Sequence, residues 1–304
     1  MGLNTVTASA PGRCGIVGNP SDIYGGKVLA CSLPARATCK LTLGAESLPE
    51  DLTLWNAATA RFPIEGSVSV EWSSEVPRSS GLAGSTALLA ATLACVMKIR
   101  GDAELSSVDF AEMVRDIERH EACVMCGYQD AYMVVHGGLR LMDFSGKHPV
   151  NPGPPAHLKS LSALLPFLLI TTGVQRLSGS VHSPMAERWL AGEPLVVSTM
   201  ETLAALAPLA AQALAAQDYS TLGEAMNENQ RLIAQLGGSG ESIDHLIGLC
   251  IRHGASAAKL AGAGMGGTVI ALTENPNELQ TRLEKEGYNF FIRPEIAPGL
   301  QVEF

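Results

Sequence analysis

The chain has 304 residues, 46% of them apolar and 17% charged, enough to build one large or two ordinary domains around a self-supporting core. Its formal charge of −9 excludes a general electrostatic grip on nucleic acid or anionic lipid, though not a small anionic ligand held by backbone amides and a few local cations. An odd set of seven cysteines, several inside apolar runs, fits free thiols in a reducing cytoplasm rather than a disulfide framework.

Residues Asn4 to Ala10 alternate as a short strand, and Ala10 to Gly26 reads as a loop punctuated by glycine and proline. Lys27 to Leu43 alternates again and reads as a hairpin of two strands. Leu54 to Phe62 is helical in propensity, with Trp55, Ala58 and Phe62 on one face. Gly66-Ser-Val-Ser-Val-Glu-Trp72 then alternates as a half-buried strand.

The stretch Glu75-Val-Pro-Arg-Ser-Ser-Gly-Leu-Ala-Gly-Ser-Thr86 opens the apolar run Ala87 to Met97, giving the order strand, small-residue loop, helix. Small residues at the mouth of a helix leave backbone N–H groups uncovered, and the first helical turn adds unpaired donors and the positive dipole end, which together suit a phosphate. Ser85 and Thr86 offer hydroxyls to a phosphate oxygen or its magnesium. The same stretch also fits a tight turn serving only close packing.

Ser106 or Ser107 caps a helix running to about Glu121. Cys123-Val-Met-Cys126 has CxxC spacing without the second pair a zinc site needs. Ala131 to His136 and Gly138 to Phe144 read as a hairpin turning at Gly137-Gly138. Glu118 precedes Asp130 by 12 residues. Phosphoryl transfer needs a base and a metal ligand, both acidic roles, although either residue alone also fits a solvated or capping acid.

Asn151-Pro-Gly-Pro-Pro155 is the best linker, dividing the chain into domains at 1–155 and 156–304. Beyond it the pattern predicts a strand from Phe167, two or three helices between Pro184 and Gln235, and a helix from Ser242 to His253. The close is strand, glycine turn, strand, helix and strand from Ser256 to Pro294. Helices against antiparallel strands imply an α+β layer in each half. Gly262-Ala-Gly-Met-Gly-Gly267 contains GxGxxG but precedes a strand, so it fails the context of a dinucleotide fold, and the GxxxxGK[ST] pattern is absent. No secretory leader pattern opens the chain, and the apolar runs are too short or too alanine-rich to predict a membrane span.

Pro11 to Gly26, Pro77 to Ala87 and Lys259 to Gly267 together resemble the three motifs of the GHMP kinases, in that family's order and over nearly the whole chain. The resemblance implies a two-domain α+β fold, with a ribosomal-protein-like N-terminal domain, a ferredoxin-like C-terminal domain and a site between them. It implies ATP and Mg2+ as cofactors, with Ser80, Gly81, Leu82, Ala83, Gly84, Ser85 and Thr86 on the phosphates. Glu118 to Asp130 is similar to the sugar-kinase segment that carries a metal-binding Glu and the catalytic Asp. That carries over Ser85 and Glu118 as magnesium ligands, Asp130 as base and Arg13 as its companion.

Gly18-Asn-Pro-Ser-Asp22 stands where galactokinase has Gly-Glu-His-Thr-Asp, and looks instead like the glucuronokinase and heptose kinase branch. The resemblance then implies a small-molecule sugar as substrate, commonly phosphorylated at the anomeric hydroxyl. Asn19, Asp22, Tyr128 and Gly264 are the implied sugar contacts, and the helix with Trp55 is the candidate for adenine. A kinase for another small alcohol, or a regulator of the same fold, are the alternatives. A cytoplasmic monomer or homodimer, without nucleic acid or membrane partners, completes the expectation.

Overall fold

The computed structural model describes residues 4–174, 179–262, 264 and 267–303. β1 (Thr5–Val17) runs antiparallel to β2 (Lys27–Leu43), from the pair Thr5 and Thr42 to Val17 and Leu29. The expected hairpin within Lys27 to Leu43 is therefore one long strand, and the expected loop after Ala10 is strand as far as Val17. Pro34 caused the misreading. The register jumps from Pro11 opposite Arg36 to Arg13 opposite Ser32, so Pro34 lies in a bulge where the ladder asks no N–H of it. The connection from Gly18 to Gly26 holds only a short 3-10 helix, Ser21–Tyr24.

α1 (Thr53–Arg61) and β3 (Val68–Ser74) follow, with β3 paired to the second half of β2. α2 (Gly84–Arg100) starts at the small-residue loop, and α3 (Ser107–His120) is capped by the Ser106 hydroxyl, which accepts from Asp109 N at 3.1 Å. The segment read as the first arm of a hairpin is instead α4 (Tyr128–His136), leading into β4 (Leu139–Asp143). Val134 and Val135 favour a strand locally, but tertiary contacts override that preference. Gly137 and Gly138 do turn the chain, with φ of 61° and 82°. A Cβ on Gly137 would meet Gly299 N at 2.2 Å, so only glycine fits where the C-terminal segment crosses.

β5 (His157–Leu161) pairs with β4, so the breakers at Asn151 to Pro155 join two strands of one sheet. The first sheet has the order β10-β1-β2-β4-β5, closed on one edge by β10 (Gln301–Glu303). β6 (Phe167–Thr171) begins the second sheet. After it come α5 (Gly179–Leu190), α6 (Pro194–Ala216), α7 (Tyr219–Gln235), α8 (Glu241–Arg252), β7 (Ala257–Leu260), β8 (Thr268–Leu272), α9 (Pro276–Lys285) and β9 (Phe291–Ile292). That sheet is antiparallel in the order β7-β8-β6-β9, and the mixed helix and strand content makes the fold α+β, as expected.

By length and composition α6 is apolar enough to cross a membrane, contrary to expectation. Here Leu203, Ala207, Ala210 and Leu214 are buried, and the helix packs on α7 and β2.

Both faces of the first sheet are covered, and strand alternation sorts the side chains between them. Val6, Ala8, Val28 and Ala30 join α1 to α4 in one core. Ile16, Leu29 and Leu33 point the other way and share a second core with Phe167, Leu169, Ile270 and Leu214. That second core is continuous across the two halves of the chain.

Candidate active site

The bulge of β1, the small-residue loop and the glycine turn after β7 meet at the N-terminus of α2. Ser79, Gly81 and Ala83 all have positive φ, at 53°, 75° and 60°, with residues of ordinary conformation between them. Such alternation turns successive N–H groups toward one side, the geometry that binds anions. No side chain caps α2, so its first-turn donors stay open to a ligand.

The loop is held from both sides. Arg13 N donates to Leu82 O at 3.0 Å, and Arg13 Nη1 donates to Gly81 O at 2.6 Å. From the other half, Thr268 Oγ1 donates to Ser80 O at 3.1 Å. A Cβ on Gly262 would lie 2.6 Å from Gly81 O, so that approach of two backbones needs glycine. Ser80 turns its own hydroxyl to Pro77 O at 2.7 Å.

Asp130 stands in the first turn of α4. Arg13 donates Nε and Nη2 to its Oδ1 at 2.8 and 2.6 Å, and Oδ2 has no partner among the described residues. The Asp130 side chain is 18% exposed, so it faces an opening rather than the core. The bulge between Pro11 and Arg13 is what aims the guanidinium here.

Glu118, 3% exposed, accepts from Thr86 Oγ1 at 2.9 and 2.8 Å on its two oxygens. Burial, with the Asp130 charge adding to it, pushes this carboxyl up to about 7. The hydroxyl that meets Glu118 is therefore that of Thr86, while Ser85 beside it is exposed. Asp22 is fully buried and accepts from Gln129 N at 3.0 Å and Gln129 Nε2 at 3.2 Å, capping α4 from a distant segment. Burial raises it to about 6, against the opposing Gln129 N–H bond. Among the described residues no group of three or more His, Cys, Asp and Glu side chains forms a metal site.

Other expected contacts fall elsewhere. Asn19 is committed to the protein: Oδ1 accepts from Lys259 Nζ at 2.8 Å, and Nδ2 donates to Gly262 O at 2.9 Å. Gly264 packs on backbone, since a Cβ there would lie 1.7 Å from Gly238 O. Trp55 is 7% exposed within the first core, which removes it as an adenine platform. Tyr128 is buried with its hydroxyl unpartnered.

Sequence reasoning missed the role of Lys259, whose ammonium burial lowers to about 7 and which ties the first motif to the last. It also missed Gln129 and Arg115. The available signal was on α3, where Ala111, Arg115 and Glu118 share one buried stripe at helical spacing.

Models of the GHMP kinase N-terminal domain and of the GHMP kinase C-terminal region match residues 52–138 and 210–289. The chain belongs to the GHMP kinases. Members of this family use ATP as phosphate donor. Glucuronokinase 1 of Arabidopsis thaliana is 31% identical over 77% of this chain, and the match spans 66% of that protein's length. A D-glycero-alpha-D-manno-heptose 7-phosphate kinase of Campylobacter jejuni is 24% identical over 73% of the chain and 67% of its own. Among solved structures, a Lactococcus lactis galactokinase complexed with galactose superposes with a TM-score of 0.79, covering 98% of this chain and 95% of that one at 16% identity. That likeness is one of fold.

Proposed function

We propose that this GHMP kinase transfers the γ-phosphoryl group of ATP to a sugar hydroxyl, most plainly the anomeric hydroxyl of a uronic acid or heptose. The observation that carries the reading is the Arg13–Asp130 pair beside an open anion loop. The likeness to a glucuronokinase supports the sugar as acceptor.

The N–H groups of residues 81–86 bind the triphosphate oxygens. Arg13 fixes Asp130 through one oxygen and leaves Oδ2 to accept the proton of the attacking hydroxyl. As that O–H bond breaks, a new bond forms from the sugar oxygen to phosphorus, and the bond from phosphorus to the β–γ bridging oxygen breaks to release ADP. The Arg13 guanidinium, already on Gly81 O, stands between the loop and the base and offsets charge on the transferring group.

Magnesium fits on donor chemistry. Glu118 with the hydroxyls of Ser85 and Thr86 supplies the hard oxygens that ion prefers, and a cation would ionise a carboxyl that burial otherwise holds near neutral pH. Bound there, it neutralises phosphate charge. Asp22, from the 3-10 helix, caps α4 through Gln129 and so positions the base at the head of that helix.

A coupled ADP-release screen over uronic acids, heptoses, hexoses, mevalonate and homoserine tests the proposal. Turnover of sugars is expected. Turnover confined to mevalonate or homoserine sinks the sugar assignment.

A further inference from the structure

Arg115 is 4% exposed, and its Nε and Nη2 atoms are buried without a hydrogen-bond partner. Those two N–H groups form the fork with which an arginine grips an oxyanion. The molecule uses that edge repeatedly: Arg13 on Asp130, Arg61 on Glu121, Arg188 on Glu193 and Arg231 on Glu228. At Arg115 that edge has no partner among the described residues.

The acids at helical spacing do not fill it. Glu112, three residues before, accepts from Lys147 Nζ at 2.6 Å and from the Tyr132 hydroxyl. Glu118, three residues after, accepts from Thr86. Arg119, four residues on, adds a like charge and gives Nη1 to Met125 Sδ at 3.3 Å.

The guanidinium lies over the Tyr128 ring, 4.0 Å from its centroid, and Lys147 Nζ is 4.2 Å from the same centroid. Stacking on an aromatic face fixes the guanidinium plane while leaving its in-plane donors unused. The Tyr128 hydroxyl is buried and unpartnered as well. A buried cation without a counter-ion is costly, and a ligand that carries one removes that cost. The buried Cys126 thiol, just before α4, lies within electrostatic reach of both Arg115 and Asp130, so this corner adjoins the base.

Resting on the sugar-kinase reading, we infer that the Nε/Nη2 edge of Arg115, with the Tyr128 hydroxyl, receives the oxyanion of an acidic sugar. That oxyanion is a carboxylate or phosphate at the end remote from the hydroxyl Asp130 deprotonates. Arg115 is then the residue that sets substrate class.

The test compares each hexose with its uronic acid and its 6-phosphate, in gluco, galacto and manno configurations. kcat/KM is measured for the wild type and for Arg115→Gln. Wild type is expected to prefer one acid over its parent hexose by roughly 100-fold, and the variant to erase most of that ratio, chiefly through KM. Preference for the uronic acid identifies a carboxylate, and preference for the 6-phosphate identifies a phosphate. Equal use of the neutral hexose by wild type, or an unchanged ratio in the variant, overturns the inference while leaving the kinase reading intact. Failure on every sugar with turnover of mevalonate overturns both. Should the variant not fold, the wild-type ratio and the rise in melting temperature with glucuronate against glucose decide the matter.

Discussion

Arg13 and Arg115 are each 4% exposed, yet they are treated in opposite ways. Arg13 has every edge engaged, with Asp130 on Nε and Nη2 and Gly81 O on Nη1. Arg115 lies over the face of Tyr128, and its Nε and Nη2 have no partner among the described residues. A cation completed by the protein is part of machinery that must be preset before any ligand arrives. A cation left incomplete in a buried place marks where a ligand supplies the missing charge.

The strongest way to break this contrast is to remove the anion from the completed side. Asp130→Asn should lower kcat by about 1,000-fold, or about 4 kcal/mol, while ATP still raises the melting temperature. ADP release at saturating substrate reads the first and thermal denaturation the second. Retained turnover would take Asp130 out of the base role.

Asp22, buried behind α4, sharpens the contrast. Its carboxyl is raised from 3.8 to about 6 by burial, so its contribution to stability is complete below the lower value and is lost as pH rises through the upper one. Denaturant titrations of wild type and Asp22→Asn should therefore show their stability difference shifting against the wild type by about 2 kcal/mol between pH 4 and pH 7. If Asp22 were the counter-ion of Arg115, the difference would shift the other way.

The smallest effect concerns the grip on the loop. Gly262→Ala places a methyl against Gly81 and should destabilise the fold by about 1–3 kcal/mol and weaken ATP binding, read by denaturation and calorimetry. An unaltered ATP affinity would show that the loop does not depend on that contact.

The loop at residues 80–86 was legible because a run of small residues ahead of an apolar helix is a local signal, whereas the positive φ of Ser79 and Ala83 leaves no mark in a linear reading. Asp130, Glu118 and Arg13 were reached through the resemblance to the sugar-kinase motifs, and the structure brings Arg13 to Asp130. What misled was non-local. α4 reads as a strand from Val134 and Val135, and the Asp22 carboxylate that caps it lies more than a hundred residues away in sequence. Pro34 looks like a turn because nothing in its neighbours reports the partner strand that tolerates a bulge. Asn19 matched a ligand position but is claimed by Lys259 and Gly262 from the far half of the chain. Arg115 belongs to no motif, and its significance comes from what surrounds it.

The second core has a mechanical consequence. Ile16 and Leu29 from the first sheet are buried in one cluster with Leu169 and Leu214 from the remainder, so swinging the halves apart as rigid bodies would wet that cluster. Opening the molecule by parting its halves therefore carries the cost of exposing that apolar surface to water.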